Sequence, residues 1–333
     1  MRWLRKRRLV YAAISVLVLA AAFFAYGYWE AGQVRLIERE LFFANLPPAF
    51  DGLRILHLSD LHTRGYGRVE RRLRRILEQT PADLLVVTGD FKAHVTTPDG
   101  EVYAGLDPLF EGLAYPWGMV AIPGNHDTTS FLFGLAERGR FTCLLRSSVL
   151  LEWRGQRLGV LGVATSRPND GTRGAHEIDE ATWVGNVARR SSPYGLLPDG
   201  KPRPLACDLM NDGQTFRILL AHTPDFIVDA KKDGIELVLA GDTHGGQVWL
   251  PWNAALAIKS KETREHVQGH FVGGGTQMHV SPGVGTLYVP IRFLCPPEVI
   301  LLTLRSNRTN GSPRSDQSDR SDASPLDARG PNR

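Results

Sequence analysis

The chain has 333 residues, of which 43% are hydrophobic and 22% are charged, so it is long enough for one large or two small globular domains and is not disordered overall. Its net charge of +4 comes largely from the first eight residues, so composition gives no indication of a nucleic-acid partner. The three cysteines lack the spacing of a zinc knuckle or a redox dithiol. We interpret them as ordinary thiols, with one disulfide as the alternative in an oxidising compartment.

Residues 1–29 contain a basic segment and then an apolar run, Leu9 to Trp29, that carries no charge. As a helix this run would span roughly 30 Å, the thickness of a bilayer's hydrocarbon core. We predict an uncleaved transmembrane anchor in the cell (inner) membrane. The alternatives are a cleaved signal peptide, whose apolar region is usually about 7 to 15 residues, and a buried helix of a soluble domain. Because more basic residues precede the run than follow it, the positive-inside rule predicts a cytoplasmic amino terminus and a domain outside.

The rest of the chain alternates apolar runs typical of strands with segments of helical period, which indicates an α/β fold. We interpret residues 30–47 as a juxtamembrane connector and residues 48–304 as the domain. Within it, residues 166–213 show no sustained period and are a long loop or insertion, either a substrate cover or a decoration. Residues 305–333 are rich in Ser, Asp and Arg, which predicts a disordered tail.

Five of the strand-like runs are followed directly by carboxylate, amide or imidazole side chains. These residues are Asp60, His62, Asp90, Asn125, His126, Asp127, His222, Asp242 and His244. A buried cluster of carboxylates would repel itself unless cations lay between its members. Mixed oxygen and nitrogen ligands suit manganese, iron and zinc, and two ions about 3.5 to 4 Å apart are a known arrangement for hydrolysing phosphate esters. The pattern therefore predicts two divalent metal ions.

The ordered motifs Asp-x-His, Gly-Asp, Gly-Asn-His-Asp, a lone His and a final Gly-Asp-Thr-His resemble those of the calcineurin-like metallophosphoesterases, from about residue 48 to about residue 304. Phrases such as Gly245-Gly246-Gln247 are similar to the membrane-associated bacterial branch of that family, which includes phosphodiesterases and a UDP-2,3-diacylglucosamine hydrolase. The resemblance implies a four-layer α/β/β/α sandwich, in which helices flank two central sheets.

The same resemblance implies roles for individual residues. One metal ion would be held by Asp60, His62 and His244, and the other by Asn125, His222 and residue 242, with Asp90 bridging them. His126 would contact the phosphate and either stabilise the transition state or protonate the leaving oxygen, and Asp127 would orient His126. Metal-bound hydroxide would attack phosphorus. Manganese is the favoured metal, with magnesium, iron or zinc as alternatives.

Asp242 departs from the family pattern, which has His at this position. A carboxylate reaches less far than an imidazole, adds negative charge and favours harder ions such as manganese or magnesium. Three outcomes remain open at this stage: a working site with Asp242 as a ligand, a weakly occupied second metal, or a site that has lost activity.

Three further residues are candidate substrate contacts, namely Arg64, His279 and Arg292. Arg64 precedes a segment of helical period, residues 68–78, that is rich in arginine. This arginine face is either simply solvated or a surface that touches anionic lipid or a phosphorylated substrate.

These features predict a membrane-anchored, dinuclear phosphoesterase that acts on a phosphodiester or a pyrophosphate, with a lipid-linked substrate as a candidate. A nucleotide-lipid such as UDP-diacylglucosamine would be met in the cytoplasm, which conflicts with the predicted topology. The alternative is a catalytically weak or inactive sensor or scaffold that binds a phosphorylated ligand. We expect no nucleic-acid partner, because no aromatic residues interleave with the arginines to stack bases, and we infer no obligate protein partner.

Overall fold

The computed structural model describes residues 2–145, 147–163, 215–250, 254–255 and 265–307. The loop or insertion expected at residues 166–213 lies outside this part of the chain, as does the predicted tail beyond residue 307. Two sheets of six strands form the centre of the described molecule.

The first sheet has the strand order β1-β14-β2-β3-β4-β5. Its strands are β1 (Arg35–Phe43), β2 (Arg54–Leu58), β3 (Leu84–Val87), β4 (Met119–Ala121), β5 (Thr142–Cys143) and β14 (Glu298–Ser306). Strands β2 to β5 are parallel to one another, whereas β14 runs antiparallel to β2. The carboxyl ends of β2, β3 and β4 therefore meet at one edge.

The second sheet has the order β12-β13-β9-β8-β7-β6, and a separate pair, β10-β11, adds two short strands. The strands are β6 (Ser147–Trp153), β7 (Gln156–Val163), β8 (Phe216–Ala221), β9 (Leu237–Ala240), β10 (Trp249–Leu250), β11 (Ala254–Ala255), β12 (Gly269–Gly273) and β13 (Thr276–Val280). Strands β7, β8, β9 and β13 are parallel, so β8 and β9 also deliver their following loops to one edge.

Five helices accompany the sheets in the described residues. They are α1 (Arg2–Glu30), α2 (Arg68–Gln79), α3 (Asp99–Phe110), α4 (Thr129–Glu137) and α5 (Ile227–Lys232). Helix α1 is the one described helix that is long and apolar enough to cross a membrane, by length and composition.

Three apolar cores separate four layers. The central core lies between the sheets and includes Ile55 and Leu84 from the first sheet and Ile218 from the second. Because side chains alternate along a strand, the neighbouring residues point outward, where one core packs against α2, α3 and α4 and another packs against α5. The α/β fold with a four-layer α/β/β/α order is therefore confirmed.

Strand β1 occupies residues that we expected to connect the anchor to the domain. It pairs in parallel with β14, from Arg35 with Glu298 to Phe43 with Ser306. Its charged side chains at residues 38–40 suit an edge strand, where one row of backbone groups faces solvent. These residues belong to the sheet and tie the end of α1 closely to the domain.

Candidate metal centre

The predicted ligands lie just beyond the carboxyl ends of five strands, three in the first sheet and two in the second. Asp60 and His62 follow β2, Asp90 follows β3, Asn125 follows β4, His222 follows β8, and Asp242 and His244 follow β9. Loops at the carboxyl edge of parallel strands converge, which is where ligand sites of α/β proteins form. The structure brings all seven predicted ligands together where the carboxyl edges of the two sheets meet.

The backbone at these ligands is unusual. Asp60, His62, Asp90, Asp242 and His244 all have a positive φ, between 43° and 67°. Side chains other than glycine rarely adopt this left-handed conformation, and it costs on the order of 1–2 kcal/mol per residue. Such strain, repeated at five ligand positions, is typical of a functional site that the surrounding fold holds in place.

The first group of donors consists of Asp60, His62 and His244, all of them buried, whose ligand atoms lie within 4.8 Å of one another. The Nε2 atoms of His62 and His244 are 3.1 Å apart, and Asp60 Oδ1 lies 3.5 Å from His244 Nε2. Asp60 Oδ1 is buried and accepts no hydrogen bond from the described residues. A cation placed between these atoms would satisfy all three, so this group fits a metal ion.

The second group surrounds Nε2 of His222. This atom lies 3.0 Å from Asn125 Oδ1, 3.4 Å from Asp90 Oδ2 and 3.5 Å from Asp242 Oδ1. Asp90 Oδ2 is also 3.4 Å from His62 Nε2, so its carboxylate lies between the two groups. Asp90 is thus placed to bridge two cations, and Asp242 is within reach of the second.

Backbone carbonyls orient two of the imidazoles. His62 Nδ1 lies 3.0 Å from the carbonyl oxygen of Lys92, and His222 Nδ1 lies 2.7 Å from that of Thr88. A carbonyl oxygen can only accept, so Nδ1 carries the hydrogen in each neutral ring and Nε2 turns its lone pair toward the carboxylates. This is the arrangement that metal-binding histidines normally show.

The charges of the cluster are unbalanced without cations. Burial raises the pKa of Asp60 to about 7. Although burial alone would lower it, the charge of Asp90 and hydrogen bonds with Asp242 and Asp90 raise the pKa of His222 well above its ordinary value. The metal-free site thus retains protons among its carboxylates, and a divalent cation would replace them.

The other two imidazoles carry no such proton. Burial lowers the pKa of His62 to about 4, and it lowers the pKa of His244 well below its ordinary value. Both rings are therefore neutral at physiological pH, as metal ligands must be.

His126 and Asp127 lie next to the ligands but have different surroundings. The backbone N–H of His126 donates to Asp90 Oδ1 at 2.8 Å, and its ring Nε2 is 4.0 Å from Asp90 Oδ2. Asp127 is buried and accepts from the backbone N–H groups of Phe91, Lys92 and Gly124 at 3.3, 3.0 and 3.0 Å. Asp127 therefore fixes the loops after β3 and β4, and through them the position of His126.

Three members of the cluster are half-buried, namely Asn125, His126 and Asp242, whereas the others are buried. The side chain of His126 is 12% exposed and that of Asp242 is 21% exposed, whereas those of His62 and His222 are fully buried. The cluster is thus reached from the side of His126 and Asp242.

The structure places the three candidate substrate contacts in different surroundings. Arg64 is exposed in the loop before α2, where it stays a candidate. His279 points into the space between the sheets, where it is buried and meets the ring of His57 edge to face at 6.3 Å. A substrate outside the strand ends does not reach this position, so His279 does not have the predicted role.

Arg292 is also not a phosphate contact, because its guanidinium is fully buried. It donates to backbone carbonyls of Pro282, Gly283, Gly285, His244 and Cys295. The sequence suggested a lone arginine near a strand, and nothing local indicated that these carbonyls would surround it. Arg292 instead holds a loop against the backbone of the predicted ligand His244.

Sequence reasoning missed two positioning groups and one buried hydroxyl. The positioning groups are the backbone carbonyls of Thr88 and Lys92, which orient His222 and His62. Both residues lie two positions from Asp90, and this closeness in sequence is the signal that could have identified them. Ser59 is buried, and its hydroxyl lies beside Asp60. A methyl group on Gly241 would overlap that hydroxyl, so glycine is required where the β2 and β9 loops meet.

Comparison with known proteins identifies the fold family. Residues 53–246, which contain every predicted metal ligand, match the family model of the calcineurin-like phosphoesterases. The uncharacterized metallophosphoesterase YkuE of Bacillus subtilis is 28% identical to the chain, and the match covers 84% of this chain and 88% of YkuE. The phosphodiesterase YaeI of Escherichia coli is 24% identical over 90% of this chain and 98% of YaeI.

A third relative has a more specific name. The UDP-2,3-diacylglucosamine pyrophosphatase LpxG of Chlamydia trachomatis is 27% identical to the chain, and the match covers 78% of this chain and 86% of LpxG. The family model spans more than half of the chain, and the described ligand groups lie within the matched residues. The chain therefore belongs to the calcineurin-like phosphoesterase family.

Proposed function

We propose that the protein is a dinuclear metal-dependent phosphoesterase that hydrolyses a phosphodiester or a pyrophosphate. The observation that carries the proposal is the position of Asp90 Oδ2, 3.4 Å from both His62 Nε2 and His222 Nε2. One carboxylate between two donor groups is what a pair of cations requires. Bound at these groups, divalent cations would supply Lewis acidity toward water and toward a phosphoryl oxygen.

The chain's own residues would position the reaction. His62 and His222 present Nε2 lone pairs that the carbonyls of Lys92 and Thr88 hold in place. His126 lies on the open side of the cluster, where its imidazole would hydrogen-bond to a phosphoryl oxygen and give a proton to the leaving oxygen. Asp242 completes the second ligand group with a carboxylate in place of the usual imidazole.

The anchor supports the proposed membrane location and a lipid-linked substrate. One side of the last turn of α1 packs on the domain, with Glu30 only 2% exposed and the following residue, Ala31, only 3% exposed, whereas Tyr28 and Trp29 are exposed. The contacts with the domain continue into the apolar run, where Phe23 packs on Phe293, which supports an uncleaved anchor. An anchored enzyme suits a lipid-linked phosphodiester or pyrophosphate, and the relative LpxG is named as a pyrophosphatase of UDP-2,3-diacylglucosamine. We retain the cell (inner) membrane and an outward-facing domain as part of the proposal.

Hydrolysis by the full-length protein in detergent tests the proposal. The protein would be stripped of metal with a chelator, reloaded with Mn²⁺ and assayed on bis(p-nitrophenyl) phosphate. We expect Mn²⁺ to restore hydrolysis in the wild type and Asp90→Ala to reduce it about 100-fold or more. Asp107→Asn, which changes a carboxylate on the surface of α3 paired with Arg138, is the matched control and should behave as wild type.

The alternative of a sensor or scaffold predicts a different result. Such a protein would bind metal and a phosphorylated ligand but would hydrolyse the diester no faster than Asp90→Ala. A wild type that binds less than one metal ion per chain and shows no hydrolysis above the variant would refute the enzyme proposal.

A further inference from the structure

An exposed apolar loop lies beside the end of α1. Residues 287–294, here called the apolar loop, include Tyr288, Val289 and Leu294, which are 76%, 48% and 53% exposed. Tyr288 and Leu294 also have positive φ values of 53° and 54°. Large apolar side chains are rarely both exposed and held in this conformation. The fold thus turns these side chains outward.

The apolar loop is attached directly to the anchor. The ring of Phe293 packs on Phe23 and Tyr26 of α1, with ring centroids 4.7 and 5.4 Å apart. The backbone N–H of Arg292 donates to the carbonyl of Gly27 at 2.9 Å, and that of Cys295 donates to the carboxylate of Glu30 at 3.2 Å. The loop therefore lies at the level of the aromatic residues at the end of α1, which mark the interface of a membrane.

The same loop is attached to the metal centre. Gln247 is three residues beyond the ligand His244, and its side chain donates to the carbonyls of Leu287 and Val289 at 3.2 and 3.3 Å. The segment before the loop is bound to the other ligand loop, where Gly285 N–H donates to the carbonyl of Asp60 at 2.6 Å. Anchor, apolar loop and ligand loops thus form one hydrogen-bonded unit.

Arginines of α2 lie on the same side of the domain. The guanidinium of Arg68 stacks on the ring of Tyr28 at 4.1 Å and donates to its carbonyl. Arg72 Nε donates to the carbonyl of Val34 at 2.8 Å. Arg71 and Arg75 are on the same helix and remain exposed. Basic side chains beside an apolar surface are what the headgroup region of an anionic bilayer attracts.

We propose that the apolar loop is a second membrane contact, which enters the interfacial layer of the bilayer that α1 spans, with the arginines of α2 at headgroup level. This inference rests on the membrane anchoring in the proposed function. The bilayer is the occupant that the structure favours, because the loop continues the packed surface of α1. The contact would hold the metal centre beside the lipid headgroups, where a lipid-linked phosphate is within reach.

Fluorescence quenching tests this contact without requiring activity. The full-length protein would carry an environment-sensitive fluorophore on Tyr288→Cys or on Val272→Cys and would be placed in nanodiscs of phosphatidylglycerol and phosphatidylcholine. Val272 is 70% exposed, but it lies near the turn before β13, at the opposite edge of the second sheet from the ligands. Labelled wild-type protein reports the background from the native cysteines.

A lipid carrying a nitroxide near its headgroup would be the quencher. We expect it to quench the fluorophore at position 288 about threefold more than the one at position 272. Equal quenching at the two positions would overturn the inference. Hydrolysis of bis(p-nitrophenyl) phosphate in the same samples separates the two ideas. Stronger quenching at position 288 without hydrolysis would contradict only the enzyme proposal. Hydrolysis with equal quenching at the two positions would contradict only the membrane contact.

Discussion

The carboxylate of Asp242 lies 3.5 Å from Nε2 of His222, at the position where relatives of this fold are expected to have an imidazole. Its backbone N–H is fixed by Asp60 Oδ2 at 3.2 Å, and its φ of 67° turns the side chain toward the second ligand group. The shorter side chain therefore reaches the cluster because the backbone brings it there.

Substitutions of Asp242 should change the number of metal ions that the protein binds. Asp242→Ala should lower Mn²⁺ from about two ions per chain toward one and slow hydrolysis about 10- to 100-fold, because one ligand group loses a donor. Asp242→His should retain both ions. Elemental analysis of dialysed protein measures the stoichiometry. If Asp242→Ala retained both ions with unchanged affinity, Asp242 would not be a ligand.

His126 should act on the leaving group rather than on metal binding. We expect His126→Ala to keep the metal content and to slow hydrolysis by about 10²–10⁴. The loss should be larger for an alkyl ester than for a p-nitrophenyl ester, because a poor leaving oxygen needs the proton more. His94→Ala, which alters a neighbouring exposed histidine whose ring centroid is 5.8 Å away, is the control. Equal losses for both esters would argue against proton donation.

The convergence of the candidate ligands could be predicted from sequence because each follows a buried apolar strand, and the loops after the carboxyl ends of such strands come together. The positive φ at five of the candidate ligands could not be predicted, because the presence of Asp or His does not identify a position with that backbone conformation. Strand β1 was missed since its charged residues resemble a linker, and its partner β14 lies more than 250 residues further along the chain. Long-range pairing of this kind leaves no local signal.

The position of Arg292 shows a second limit of prediction from the sequence. An arginine is usually at the surface, and only the folded loop places five carbonyls around this one. His279 is likewise predicted to contact substrate, but it lies within β13, where Met278 and Val280 pack on the outer side of the sheet and the alternation of side chains turns His279 between the sheets. Both errors concern where a side chain points after distant segments have packed.

Arg292 should be essential for stability. Arg292→Met fills the space but leaves buried carbonyls without donors, so we expect the free energy of unfolding to fall by about 3–5 kcal/mol. Arg292→Lys should recover only part of this, because one ammonium cannot reach all five acceptors. Chemical denaturation in detergent measures the change, with Arg138→Met as the surface control. Similar stability of Arg292→Met and Arg138→Met would contradict this role.

The buried side chain of His57 should make the stability of the fold depend on pH. Burial lowers its pKa from 6.5 to about 3, so the folded ring is neutral, and its Nε2 lies 2.8 Å from Thr88 Oγ1. Between these pH values the unfolded chain binds the extra proton. The free energy of unfolding therefore falls as pH falls from 6.5 toward 3, by up to about 1.4 kcal/mol per pH unit from this group.

Removing the ring should make that dependence shallower. Denaturation of His57→Leu at pH 6.5, 5.5 and 4.5 should show a smaller loss of stability than wild type. His94→Leu replaces an exposed histidine and serves as the matched control, with an unchanged slope. Identical slopes for wild type and His57→Leu would show that His57 does not contribute.

The central claim is that two cations share Asp90, and anomalous diffraction from Mn²⁺-loaded crystals tests it most directly. We predict two anomalous peaks about 3.5 to 4 Å apart, one beside Asp60, His62 and His244 and the other beside Asn125, His222 and Asp242, with the Asp90 carboxylate between them. A single peak, or none at saturating Mn²⁺, would contradict the dinuclear site.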